Sequence, residues 1–273
     1  MKEIYEYIDK NVDEYIKDLQ LLIQQPSISA QNIGLQDCAN IVKNMMHKDG
    51  LPAELHDIPE GPPLVFGHLK SNKSKKTLLC YSHYDVQPPE PIEKWTHGGP
   101  WSGALVNNII YGRGATDNKG GLLAFNKAAK AFLKVRGETP LNLKFFYEGE
   151  EEIGSVHLGP WVEKNKELIK ADGMHCLDGT VDSFAQVPEV ELGLKSVLFI
   201  ELTARGGKKD IHSLNFPLVP SPPWDLIHAL STIMDRHRKI LIKDWYEGLY
   251  VLGKEEIDLI NEKNERINLD ILK

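Results

Sequence analysis

Cysteine is scarce in this 273-residue chain: Cys38, Cys80 and Cys176 are all there are, an odd number without C-x-x-C spacing. That scarcity excludes a disulfide framework and a structural zinc knuckle, and it fits a reducing cytoplasm. Long apolar runs are also missing, and none approaches the roughly 18 residues of a membrane-spanning helix. The start of the chain alternates charge with apolar residues and has no basic head, apolar stretch and cleavage site in succession, so no secretory signal is expected. Basic blocks are absent as well. Lys and Arg number 32 against 39 Asp and Glu, a net charge of -7, and nothing is dense enough to track a phosphate backbone. Neither nucleic acid nor membrane is an expected partner.

What is present is ordinary globular composition, 41% hydrophobic and 26% charged, in a chain long enough for one large domain or two smaller ones. Ile4, Ile8, Val12, Tyr15, Leu19 and Leu22 recur at three- and four-residue steps and predict one amphipathic helix ending before Pro26. Strands are expected at residues 77–82, 141–147 and 173–177, with helical stretches at 120–135 and 161–169. Strands alternating with helices imply an α/β sheet with parallel parts. In the helix at 120–135, Leu122, Phe125, Ala129 and Phe132 share a face that can cover the sheet, with Lys127, Lys130 and Lys134 placed off it. Past residue 190 the texture changes: a strand is expected at 195–204, helices at 224–236 and 254–264, and a short strand at 239–242. This reads as a second, smaller unit, giving expected domains of 1–190 and 191–273.

The chemistry-bearing residues gather where apolar strands end, which is where ligands collect in open α/β sheets. His83 and Asp85 follow the first such strand; in extended backbone they point the same way, so the carboxylate can fix the imidazole ring. His-x-Asp alone also fits a structural pair. Asp117 lies in the glycine-dense run 111–121, which matches neither the phosphate loop nor the dinucleotide fingerprint. It could equally be a helix N-cap, although a cap needs no such density of glycine. Glu150, Glu151 and Glu152 follow the strand at 141–147, where adjacent carboxylates can divide labour, one holding a cation and its neighbour free as a general base. Asp178 closes the strand at 173–177. One His among several carboxylates is a set suited to zinc, manganese or cobalt, and a carboxylate-rich site is the usual way to hold two divalent ions. Metal-assisted hydrolysis is the reading, with phosphoester hydrolysis weaker because only Arg113 and Lys119 lie near to clamp a phosphate.

Tyr-Ser-His-Tyr-Asp-Val-Gln (81–87), Trp95 with Pro100-Trp101, Tyr-Gly-Arg-Gly-Ala-Thr-Asp-Asn-Lys-Gly (111–120) and Glu-Gly-Glu-Glu-Glu-Ile-Gly-Ser (148–155) together resemble the di-zinc metallopeptidase and deacylase family. That family includes carnosinase-type dipeptidases, glutamate carboxypeptidases, acetylornithine deacetylase and succinyl-diaminopimelate desuccinylase, and His-Tyr-Asp-Val-Gln is most similar to the carnosinase-like branch. The resemblance implies a mixed, mostly parallel sheet covered by helices, with a smaller α+β lid and dimerisation domain. It implies that His83 and Asp178 bind one ion, Glu152 the other, and Asp117 both; that Asp85 orients His83; and that Glu151 is the general base. It also implies a cis Asp117–Asn118 peptide, a homodimer made through the lid, and a role for His212, in Lys-Lys-Asp-Ile-His-Ser (208–213), in steadying the reacting oxygen. The sequence departs from the family at Leu214, where glycine usually follows His-Ser, and in length, since no histidine follows His237 to serve as the family's last ligand. The expected substrate is a dipeptide or N-acyl amino acid. The alternative expectation is a truncated, inactive member acting as a dimerising or regulatory remnant.

Overall fold

The computed structural model describes residues 1–178 and 197–266. The chain opens with helices α1 (Lys2–Lys10), α2 (Val12–Gln24) and α3 (Leu35–Lys48), followed by strands β1 (Glu54–His56), β2 (Leu64–Leu69) and β3 (Thr77–His83). A hairpin of β4 (Ala104–Val106) and β5 (Ile109–Tyr111) leads into α4 (Lys119–Arg136), then β6 (Asn142–Glu148), α5 (Leu158–Lys164), α6 (Lys166–Ile169) and β7 (Gly173–Cys176). The main sheet has the order β1-β2-β6-β3-β7; β6, β3 and β7 run parallel, and the β1–β2 edge is joined to them by antiparallel pairings. The expected mixed sheet is therefore present, with its parallel pairings concentrated under the site.

Period-two alternation divides this sheet between two cores. Phe145 and Tyr147 of β6, Val65 of β2 and Cys80 of β3 join a cluster with Leu22, Val42, Met46 and Leu122 beneath α2, α3 and α4. Phe146, Leu64 and Phe66 face the other way and pack with Trp161 of α5. Each fully buried side chain of this size contributes about 1.5–3 kcal/mol of transfer free energy, which fixes strand register because a one-residue slip would exchange the faces.

One helix expectation needs correction. The predicted first helix is two helices, broken at Asn11, whose backbone leaves the helical region at φ -112°, ψ 9°. Its side-chain amide donates to Tyr7 O at 2.7 Å, the local backbone bonding that makes Asn a poor interior helix residue. Lys127 and Lys130 of α4, off the apolar face as expected, are both buried, bonded to Asp18, Asp49 and Glu14. Glu14, Asp18 and Asp49 come close enough to suit a cation, but the ammonium groups of Lys48, Lys127 and Lys130 already serve them.

α4 begins hard against β7, and Gly121 makes this possible. A Cβ there would strike the carbonyl oxygen of Leu177 and the Asn118 side chain. In an open helix, Gly→Ala gains roughly 0.5–1 kcal/mol; Gly121→Ala is expected instead to destabilise by about 1–3 kcal/mol through overpacking, as read by urea unfolding.

The chain divides into two units, one carrying described residues 1–178 and the other 197–266. The boundary expected at 190 lies outside the described residues. In the second unit, described residues 197–204 form no strand; the apolar run Val197–Ile200 is exposed, without a neighbouring ladder to complete its backbone bonds. The strand expected at 239–242 is reduced to a single bridge between Ile240 and Met234. Helices α7 (Pro222–Ile233) and α8 (Lys254–Arg266) match the expected helical stretches. Among the described residues no helix is long and apolar enough to cross a membrane.

Candidate metal centre

The parallel strands deliver three of the site's segments from one end of the sheet. β3 ends at His83 beside Glu148 of β6, and Leu177 and Asp178 follow β7. The fourth segment comes from the turn between β5 and α4, where the Asp117–Asn118 peptide is cis, as the resemblance implies. The N-cap position of α4 belongs to Asn118, so Asp117 is not spent on capping. Dense glycine around it reflects close packing: a Cβ on Gly112 would strike Ile23, and one on Gly114, at φ +83°, would strike Val86.

His83 is fully buried, and its two ring nitrogens face different groups. Nδ1 lies 3.1 Å from the Asp85 carbonyl oxygen and 3.3 Å from Asp85 Oδ1, which directs Nε2 into the site. Nε2 stands 3.0 Å from Asp117 Oδ1, 3.8 Å from Asp178 Oδ2 and 3.9 Å from Glu151 Oε2. Despite these approaches it has no aligned hydrogen-bond partner. Ligand atoms placed about 2.0–2.2 Å from one tetrahedral zinc stand roughly 3.3 Å apart, so this spacing suits a cation between the groups. His83, Asp117 and Asp178 each offer a ligand atom within 4.8 Å of the others.

The electrostatics agree with the geometry. Burial lowers the His83 pKa, but Asp117, Asp178 and Asp85 outweigh it and push it up to about 12. The same contact holds the Asp117 carboxyl below its usual range, with Arg113 assisting. Burial raises Glu151, to which Asp178, Glu152 and Asp85 add against His83. Burial likewise raises Glu152, opposed by the hydrogen bond from Gln87. So many carboxylates around one imidazole form a pocket of negative potential that a divalent ion would neutralise.

Asp85 has a second role that no local sequence pattern indicates. Its two carboxylate oxygens accept the backbone N–H groups of Glu151 and Glu152 at 3.2 and 3.1 Å, so one residue fixes the imidazole and the acidic turn together. Glu150, to which the motif gives no role, accepts from His157 Nδ1 at 2.8 Å and from the His157 backbone N–H at 3.1 Å. Both hold the turn that carries Glu151 and Glu152. The two cations considered for clamping a phosphate are engaged elsewhere: Lys119 Nζ donates to Leu22 O and Gln25 O at 2.8 and 2.6 Å, and Arg113 donates to Pro88 O and lies over the Trp95 ring. His212 belongs to the second unit, is exposed, and accepts the Leu214 N–H at Nδ1.

Comparisons with known proteins place the chain in a family. The Cys-Gly metallodipeptidase dug1 of Schizosaccharomyces pombe is 33% identical over 259 residues, which cover 89% of this chain and 54% of that protein. The human Beta-Ala-His dipeptidase is 28% identical over 275 residues, covering 94% and 54%. Among solved structures, the M20 family metallo-carboxypeptidase Sso-CP2 from Sulfolobus solfataricus superposes with a TM-score of 0.80 at 37% identity, covering 95% of this chain and 58% of that one. The chain thus spans about half the length of the curated relatives it matches. The family model for peptidase family M20/M25/M40 matches residues 79–272, more than half of the chain, and the chain belongs to that family.

Proposed function

We propose that this chain carries the metal-holding part of a hydrolase that cleaves amide bonds in dipeptides or N-acyl amino acids with a free carboxylate. The observation that carries the reading is the buried His83 Nε2, set among Asp117, Asp178 and Glu151 without an aligned hydrogen bond. His83 and Asp178 would hold one ion and Glu152 the other, with Asp117 a ligand to each. Zinc suits the donor set, with manganese and cobalt as alternatives. Held there, divalent ions would supply polarisation of the scissile carbonyl and a water acidic near neutral pH.

Glu151 takes that water's proton and delivers it to the leaving amine. Its raised pKa brings the base nearer to neutrality, where proton transfer in both directions is efficient. Asp85 keeps the imidazole and the acidic turn in register. Residues 1–190 form the catalytic domain and 191–273 the lid, through which a homodimer supplies His212 to the reacting oxygen. The free cysteines Cys38, Cys80 and Cys176 accord with a cytoplasmic setting.

The names of the relatives suggest the first substrates. Purified protein should hydrolyse Cys-Gly or β-Ala-His, lose that activity to a chelator, and regain it with Zn2+ or Mn2+. Turnover of phosphomonoesters in place of peptides, or dipeptide turnover that survives complete removal of metal, would overturn the proposal.

A further inference from the structure

We propose that Gln87 is a positioning residue for the ion assigned to Glu152, its side-chain amide fixing that carboxylate so that one oxygen is left to face the cation. The inference rests on the reading of Glu152 as a ligand. Gln87 lies just past the end of β3, two residues beyond Asp85, and reaches the same acidic turn: Asp85 accepts the Glu151 and Glu152 N–H groups, and Gln87 meets Glu152 itself. Its Nε2 donates to Glu152 Oε2 at 2.8 Å and to the Glu152 carbonyl oxygen at 3.0 Å. Both partners are acceptors, so the NH2 end of the amide must point at Glu152.

The backbone around Gln87 is pinned on both sides. Upstream, Ser27 Oγ donates to Tyr84 O at 2.6 Å, and Val86 N donates to Ser27 O at 2.9 Å. Downstream, Arg113 donates to Pro88 O at 3.2 Å and its guanidinium sits 5.4 Å from the Trp95 ring centroid, while Trp95 Nε1 donates to Pro89 O at 2.6 Å. The side chain itself is exposed, so burial does not force these two bonds. A neutral donor also suits this position. A lysine here would bring a positive charge that competes with the ion, whereas the amide occupies Oε2 and leaves the carboxylate's charge intact.

Calorimetric titration of the metal-stripped full chain with Zn2+ tests this role, comparing the unaltered protein with Gln87→Leu and with Gln87→Met, which keeps the length of the side chain. Two binding events are expected for the unaltered protein, and each variant should weaken one of them by about 10–100-fold, the usual effect of losing a partner of a ligand, while the other event stays unchanged. The melting temperature without metal should not move, because Gln87 is exposed. Unchanged affinities in both variants would overturn the role of Gln87, and so would equal weakening of both events together with a lowered melting temperature. If the unaltered protein binds no second ion, the reading of Glu152 falls first and this inference with it, a result separable from the others without any variant.

Discussion

Glu151→Gln is expected to lower dipeptide turnover by about 10²–10⁴-fold, the contribution of a positioned general base, while the protein keeps its metal. The expectation follows from how Glu151 is held. Its backbone N–H is fixed by Asp85 at 3.2 Å, so replacing the carboxylate by an amide leaves the turn in place. Its Oε2 stands 3.9 Å from His83 Nε2, beside Asp178 Oδ2 at 3.8 Å, so it reaches the place where the ion would be held. Turnover and ion content measured on the same sample separate the roles. Full turnover in the variant would remove Glu151 as the base, and loss of an ion along with turnover would make it a ligand.

Lys127→Met should destabilise the fold by about 3–5 kcal/mol, the cost of leaving buried charges without a partner. Lys127 Nζ donates to Asp18 Oδ2 and Asp49 Oδ2, both at 2.6 Å, and all three side chains lie under 10% exposed. Methionine fills the space of the lysine stem but returns nothing to the two carboxylates. The exposed pair Lys76–Asp172 is the control: its ammonium is solvated, and Lys76→Ala should leave the unfolding midpoint nearly where it was. A denaturant midpoint for Lys127→Met matching that of the control would show that Lys48 and Lys130 carry the network without it.

The residues assigned to the proposed site stand out in the sequence because most of them follow apolar runs and Asp117 lies in a glycine-dense turn. β3, β6, β7 and α4 all appear near their expected places, and Asp85 stands beside the His83 ring, 3.3 Å from Nδ1. What escapes the sequence depends on partners distant along the chain. The sequence places Lys127 and Lys130 off the apolar face of α4 but does not show that Glu14 and Asp18 of α2 and Asp49 close over them. The hold of Asp85 on the acidic turn joins segments on opposite sides of β4, β5 and α4 in the chain, and no local pattern announces it. Helix α3 and strands β1 and β2 are not apparent because their short apolar runs lie among charged and proline-bearing segments. A strand at 195–204 is suggested by β-branched and aromatic residues, but strand propensity needs a neighbouring ladder, and described residues 197–204 have none.

Whether His83, Asp117, Glu152 and Asp178 form a two-ion centre is read from elemental analysis of the purified protein, alongside the same measurement on Asp117→Asn. Two divalent ions per chain are expected, with less of both retained in the variant because Asp117 would be a ligand to each. A protein that takes up no divalent ion when zinc or manganese is supplied, or whose ion content is indifferent to Asp117→Asn, would contradict it.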